Sequence, residues 1–118
     1  MIKNIKDLKV YNESYKLAME VFALTKRFPK SETFSLTDQI LRSSRSVAMN
    51  IREGFANRRY PNVFIRQLND ALGSAEETRG WLDCARDCRY ILEQEHEALD
   101  AKYDTINAML YMLMNNWE

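Results

Sequence analysis

Six arginines, Arg42, Arg45, Arg52, Arg58, Arg59 and Arg66, fall within 25 residues that hold one acidic side chain, Glu53. A guanidinium offers a rigid fork of donors that matches two phosphate oxygens, so this density suits phosphate contact. The other chemistry-bearing residues are sparser. His96 is the only histidine, which excludes a His-His metal pair. A carboxylate-bridged di-iron bundle needs a Glu-x-x-His motif on each of two helices, and only Glu93-Gln94-Glu95-His96 matches. That turn reads as solvated and polar. Cys84 and Cys88 lie four apart with neither a CxxC pattern nor a second pair, so they read as reduced, half-buried thiols. No nucleophile elbow or phosphate loop is present, and neither an enzyme, a metal nor a cofactor is expected.

A second pattern runs beside the arginines. Gln39, Arg42 or Ser43, Ser46, Asn50 and Glu53 recur at helical spacing next to an apolar face. Where such groups are buried they need partners, and Ser74, Glu76 and Glu77 are the candidates further along the chain. The sequence therefore predicts a structural polar network of Asn50, Glu53, Ser74 and Glu77, with Arg42 as a further member, while Gln39 and Ser43 suit a solvated face.

These groups must be positioned by helices. The chain has 118 residues, 46% of them hydrophobic, with three glycines and two prolines, which suggests one compact helical domain over residues 1–118. The longest apolar run, Ala108 to Met114, is far short of the roughly 20 residues a membrane span needs. Charges interrupt the apolar residues near Met1, so no signal-peptide core is seen and a cytoplasmic location is expected. A first helix is predicted from a cap at Asp7 to about Phe28, before Pro29. It bears two apolar stripes, one through Leu8, Tyr11, Tyr15, Ala18, Phe22 and Thr25, the other through Val10, Leu17, Val21, Leu24 and Phe28. The residues Ser31 to Ser35 offer caps for a second helix with Leu36, Ile40, Val47, Ile51 and Phe55 inward, ending near Ala56 to Arg59.

Tyr60-Pro61 places proline at the first position of a third helix, which extends to Leu92 and thus about 32 residues, or roughly 48 Å. Gly73 and Gly80 inside it suggest close approach by a neighbouring backbone, with a local kink as the alternative. A fourth helix starts around Glu93 to Glu97 and runs to about Asn116, with Leu99, Tyr103, Ile106, Leu110, Leu113 and Trp117 as its seam. Short connections favour an all-α, antiparallel up-down-up-down four-helix bundle.

The net charge of zero conceals a division along the chain. Residues 42–66 sum to +5 and residues 93–118 to −5. This is either an anion-binding surface or two segments that neutralise each other within a bundle or across a subunit contact.

The motifs Phe28-Pro29-x-x-Glu32, Leu36-x-x-Gln39-Ile40-x-Arg42-Ser43-Ser44-x-Ser46-Val47, Asn50-Ile51-x-Glu53-Gly54 and Leu72-Gly73-Ser74-x-x-Glu77 occur in this order. In them the chain resembles the bacterial 23S ribosomal RNA intervening-sequence proteins, which are related to accessory proteins of diversity-generating retroelements. The chain departs from that pattern at four places: Tyr11 stands where Trp is usual, Ser44 where Ala is frequent, Arg52 where a small residue is usual, and Tyr60-Pro61 replaces a Ser-rich segment. The resemblance implies a cytoplasmic bundle that assembles as a ring-like homopentamer, without enzymatic activity, and it makes RNA or DNA binding the leading expectation. Arg45, Arg52, Arg58 and Arg59 are the residues expected to meet phosphates, with Arg42 and Arg66 spent on intrachain carboxylates. The competing expectation is a protein partner or scaffold role, in which the acidic fourth helix of one subunit covers the arginines of the next. The oligomer contact is expected to use the second stripe of the first helix with Met109 and Met112.

Overall fold

Asn4 opens the fold by accepting the Lys6 N–H on its side chain, while the Asp7 carboxylate accepts the N–H groups of Lys3 and Asn4. Asp7 thus closes a short 3-10 turn at Ile5–Asp7 and does not cap the first helix as the sequence suggested. The structure, a computed structural model, describes residues 2–117. These form four α-helices with no strand among the described residues: α1 (Lys9–Thr25), α2 (Leu36–Ala56), α3 (Pro61–Asp87) and α4 (Glu93–Asn116).

The ends of the helices are set by specific side chains. Helix α1 stops three residues before the predicted Phe28, and a turn carries the chain to Pro29. The first turn of α2 is not served by the serines. Glu32 accepts the Leu36 N–H, the Ser35 hydroxyl and, across the fold, the Tyr90 hydroxyl at 2.8 Å. Helix α3 begins at Pro61 as predicted and spans 27 residues instead of 32. It ends because Arg89 turns left-handed, at φ 64°, where glycine is the usual residue. The Tyr90 N–H then bonds the Ala85 carbonyl and the Arg89 N–H the Arg86 carbonyl, both at 2.9 Å. Leu92, expected on α3, therefore precedes α4 and is exposed.

Helix α2 packs most extensively on α3, with α1 on α2 and α3 on α4 next, and α1 against α4 least. One contiguous apolar core includes Val21, Ile40, Val47, Ile51, Phe64, Leu68, Leu82, Tyr103, Ile106 and Leu110. The second stripe of α1 (Val10, Leu17, Val21, Leu24 and Phe28) is buried in this core, so it is not the free surface expected for an oligomer contact. On α1, Tyr15, Met19 and Phe22 remain exposed instead. Close approach of α2 and α3 depends on small residues. A Cβ on Gly54 would lie 3.0 Å from Gln67 Cβ and 3.1 Å from Phe64 Cδ1, whereas at Gly73 and Gly80 it would meet nothing within 4 Å. The close contact expected at those two glycines is thus absent, and Gly54 is where it occurs. Ser43 also departs from the solvated reading: it is buried, with its Oγ 2.8 Å from Thr78 Oγ1.

Two outcomes follow for stability. Gly54→Ala is expected to destabilise by roughly 1–3 kcal/mol through overpacking, while Gly73→Ala stabilises by roughly 0.4–1 kcal/mol, both read from urea unfolding. The Arg27 guanidinium, followed by the Leu92 N–H, holds the Glu95 carboxyl down at about 2. Glu32 and Asp100 are lowered too, Glu32 by the hydroxyls of Ser35 and Tyr90 and Asp100 by Arg79. Because these folded-state values lie below the unfolded ones, the stabilisation is complete above the ordinary carboxylate range and is lost as pH falls through it toward about 2. Thermal melts should therefore show a flat midpoint near neutrality and a fall on acidification across that window.

Candidate nucleic-acid interface

With Ile40, Val47, Ile51 and Phe55 buried, α2 presents its opposite side outward. Arg45, Met49, Arg52, Ala56 and Arg59 recur there at spacings of four, three, four and three, which is a single stripe continuing just past the helix end. Seven helical residues advance about 10.5 Å, so Arg45 and Arg52 stand that far apart along the axis.

Each of the four expected arginines lies over an aromatic ring. The guanidinium carbon of Arg45 is 5.7 Å from the Phe22 centroid, that of Arg52 5.5 Å from Tyr11 and that of Arg59 5.4 Å from Tyr60. Arg52 also donates to the Tyr11 hydroxyl at 2.9 Å. Arg58 is held hardest, 4.0 Å over Phe55 and donating to the Phe55 carbonyl at 3.0 Å. Lys26 Nζ adds a fifth cation, 4.4 Å from the Phe22 ring. Among the described residues no carboxylate lies within 4.0 Å of these four arginines or of Arg66. The expectation for Arg66 is thereby corrected. Arg42 does pair, with Asp38 on its own helix at 2.9 Å.

Part of the acidic set pairs elsewhere. Arg79 takes both oxygens of Asp100, at 2.8 and 3.1 Å, and also reaches Glu76 and Asp104. Arg27 grips Glu95, and Lys102 reaches Glu20 at 2.9 Å. The basic and acidic segments therefore do not cancel within one chain, and the arginine stripe keeps its charge.

The expected polar network divides into two parts. Asn50 donates to the carbonyl and hydroxyl of Ser46, which meets Ser74 Oγ at 2.9 Å. Separately, Gln67 donates to Glu53 at 2.8 Å and accepts from Asn57. Glu77 and Arg42 belong to neither part. Glu77 is exposed and accepts from the Trp81 indole, and Arg42 faces Asp38. The sequence reading missed Gln67 because the register between α2 and α3 decides which residue stands opposite Glu53.

Three other residues differ from expectation. His96 is buried, with Nε2 2.7 Å from Asp83 and Arg86 3.4 Å from both ring nitrogens. Asp83, His96 and Asp100 bring donor atoms within 4.8 Å of one another and are the set able to hold a metal. Arg79 already occupies Asp100, and Arg86, itself paired with Asp87, lies against His96, so cationic side chains already stand beside this set. Cys84 and Cys88 are exposed free thiols.

The family described as 23S rRNA-intervening sequence protein matches residues 6–112. No curated protein matches the chain. Among solved structures, a protein of unknown function from the S23 ribosomal protein family of Bacteroides thetaiotaomicron superimposes with a TM-score of 0.82 at 30% identity, covering 91% of this chain and 99% of that one. No helix is long and apolar enough to cross a membrane among the described residues. With all but the extreme ends of its sequence matched, this chain belongs to the 23S rRNA-intervening sequence protein family.

Proposed function

We propose that this protein is a non-enzymatic, homo-oligomeric bundle of the cytoplasm that binds RNA or DNA through the outward arginine stripe of α2. The carrying observation is that four guanidiniums are held by aromatic rings and by none of the described carboxylates. A ring fixes a guanidinium while leaving its charge, so little side-chain entropy remains to be lost when phosphate is bound. Contacts of this kind position a backbone and carry no base code, so binding is sequence-tolerant and salt-dependent. The family description and the ribosomal description of the Bacteroides protein support an RNA ligand. Short connections, together with packing between successive helices and between first and last, support the antiparallel up-down-up-down arrangement.

Exposed Tyr15, Met19 and Phe22 on α1 and Tyr111 and Met112 on α4 support a subunit contact joining two different faces. Such a contact closes into a ring when its rotation permits, and we take the ring to be a pentamer. The same exposed residues favour the rival reading, a scaffold in which Glu97 and Asp104 of a neighbouring α4 cover the stripe.

Light scattering should give about 70 kDa, five times 13.9 kDa, and Phe22→Asp should shift the protein to smaller species. A monodisperse monomer at micromolar concentration would overturn the assembly. For nucleic acid, Arg45→Ala with Arg59→Ala is a cleaner test than a change that includes Arg58, whose guanidinium packs on Phe55. Removing two phosphate contacts should flatten the slope of log affinity against log salt by about 1.4 units on single strands and about 1.8 on duplex, with the melt unchanged. Absence of binding at low salt, or a slope indifferent to this double change, favours the scaffold.

A further inference from the structure

Beside the connection between α2 and α3, Ile2, Ala56, Arg58, Arg59 and Trp117 line an open surface concavity of about 420 Å³. That is within the usual size of small-ligand sites, roughly 300–1,000 Å³. Its two guanidiniums follow each other in sequence and would repel unless restrained. Arg58 is pinned by the Phe55 ring and carbonyl, and Arg59 lies over Tyr60. The rest of the lining is apolar. The Trp117 ring packs nearly perpendicular to Phe64, with centroids 4.7 Å apart and an interplanar angle of 79°, and Ile2 stands beside it.

We propose that this pocket holds one nucleotide, with its phosphate between Arg58 and Arg59 and its base against Trp117 and Ile2. Two forked donors side by side match a phosphomonoester, which carries more charge than a diester and presents three oxygens. An indole offers a stacking surface to any base, so the site selects for a base-plus-phosphate ligand without choosing a sequence. The ligand is either a free mononucleotide or the phosphorylated end of a strand. The proposal deepens the nucleic-acid reading and rests on it, since Ala56 and Arg59 carry the α2 stripe into this pocket.

The test uses the 118-residue chain carrying Trp81→Phe, which leaves Trp117 as the only indole. Fluorescence is titrated with AMP, adenosine, inorganic phosphate, and short oligonucleotides with and without a 5′-phosphate. Calorimetry of AMP on the wild-type protein repeats the measurement independently of the Trp81 change. AMP should quench Trp117 with at least tenfold higher affinity than adenosine or phosphate alone. Arg58→Gln with Arg59→Gln should weaken AMP at least tenfold. Quenching by a strand that depends on its 5′-phosphate assigns the site to strand ends, and quenching by AMP with no such dependence assigns it to free nucleotides. Millimolar AMP that produces neither quench nor heat, together with a silent Trp117 on oligonucleotide addition, overturns the pocket. Oligonucleotide binding by anisotropy in that case leaves the stripe reading standing. AMP binding without any oligonucleotide binding at low salt sinks the strand reading and keeps the pocket.

Discussion

The close approach of α2 to α3 governs what the rest of the molecule can present. Gly54 faces Gln67 and Phe64 with no room for a side chain, and Ser43 lies against Thr78 in the buried seam. Once that side of α2 is committed, the helical period alone forces Arg45, Met49, Arg52 and Ala56 to the opposite side. The hydroxyl contacts within the seam satisfy groups that would be costly to bury alone, and they fix the register of the two helices along their length.

Register decides the electrostatics in turn. Glu76, Asp87, Glu95, Asp100 and Asp104 are gathered around Arg79, Arg86 and Arg27, which lie outside the basic segment. Ion pairs on the exposed surface contribute little to stability, so their importance here is in charge placement. They occupy the acidic groups with nearby cations and leave the α2 arginines to aromatic neighbours. Tyr11 and Arg52 contact each other directly, and Tyr60 lies under Arg59.

Much of the fold was legible in the sequence. Four helices, the proline that begins α3 and the inward residues of α2 and α4 all follow from local periodicity and turn chemistry. The failures have separate causes. Asp7 accepts the Asn4 N–H at the spacing of a capping box and so serves the 3-10 turn in place of α1, Glu32 takes the Tyr90 hydroxyl from across the fold, and Arg89 ends α3 in a conformation for which glycine is the usual signal. His96 is charged or polar by type, and its burial beside Asp83 depends on how α4 is rotated against α3. Gly73 and Gly80 looked like contact points because glycine inside a helix needs a reason, and the single chain supplies none.

What the sequence by itself determined is which residues share a face of each helix, including the arginines of α2, because a helical period is a property of neighbouring residues. Only the tertiary structure decided that Arg45 meets Phe22, that Arg52 meets Tyr11, that Glu53 finds Gln67 in place of Glu77, and that Arg79 gathers the carboxylates of α4. Each of these joins positions on different helices. Their pairing depends on register and rotation set by core packing, and local spacing carries no information about either.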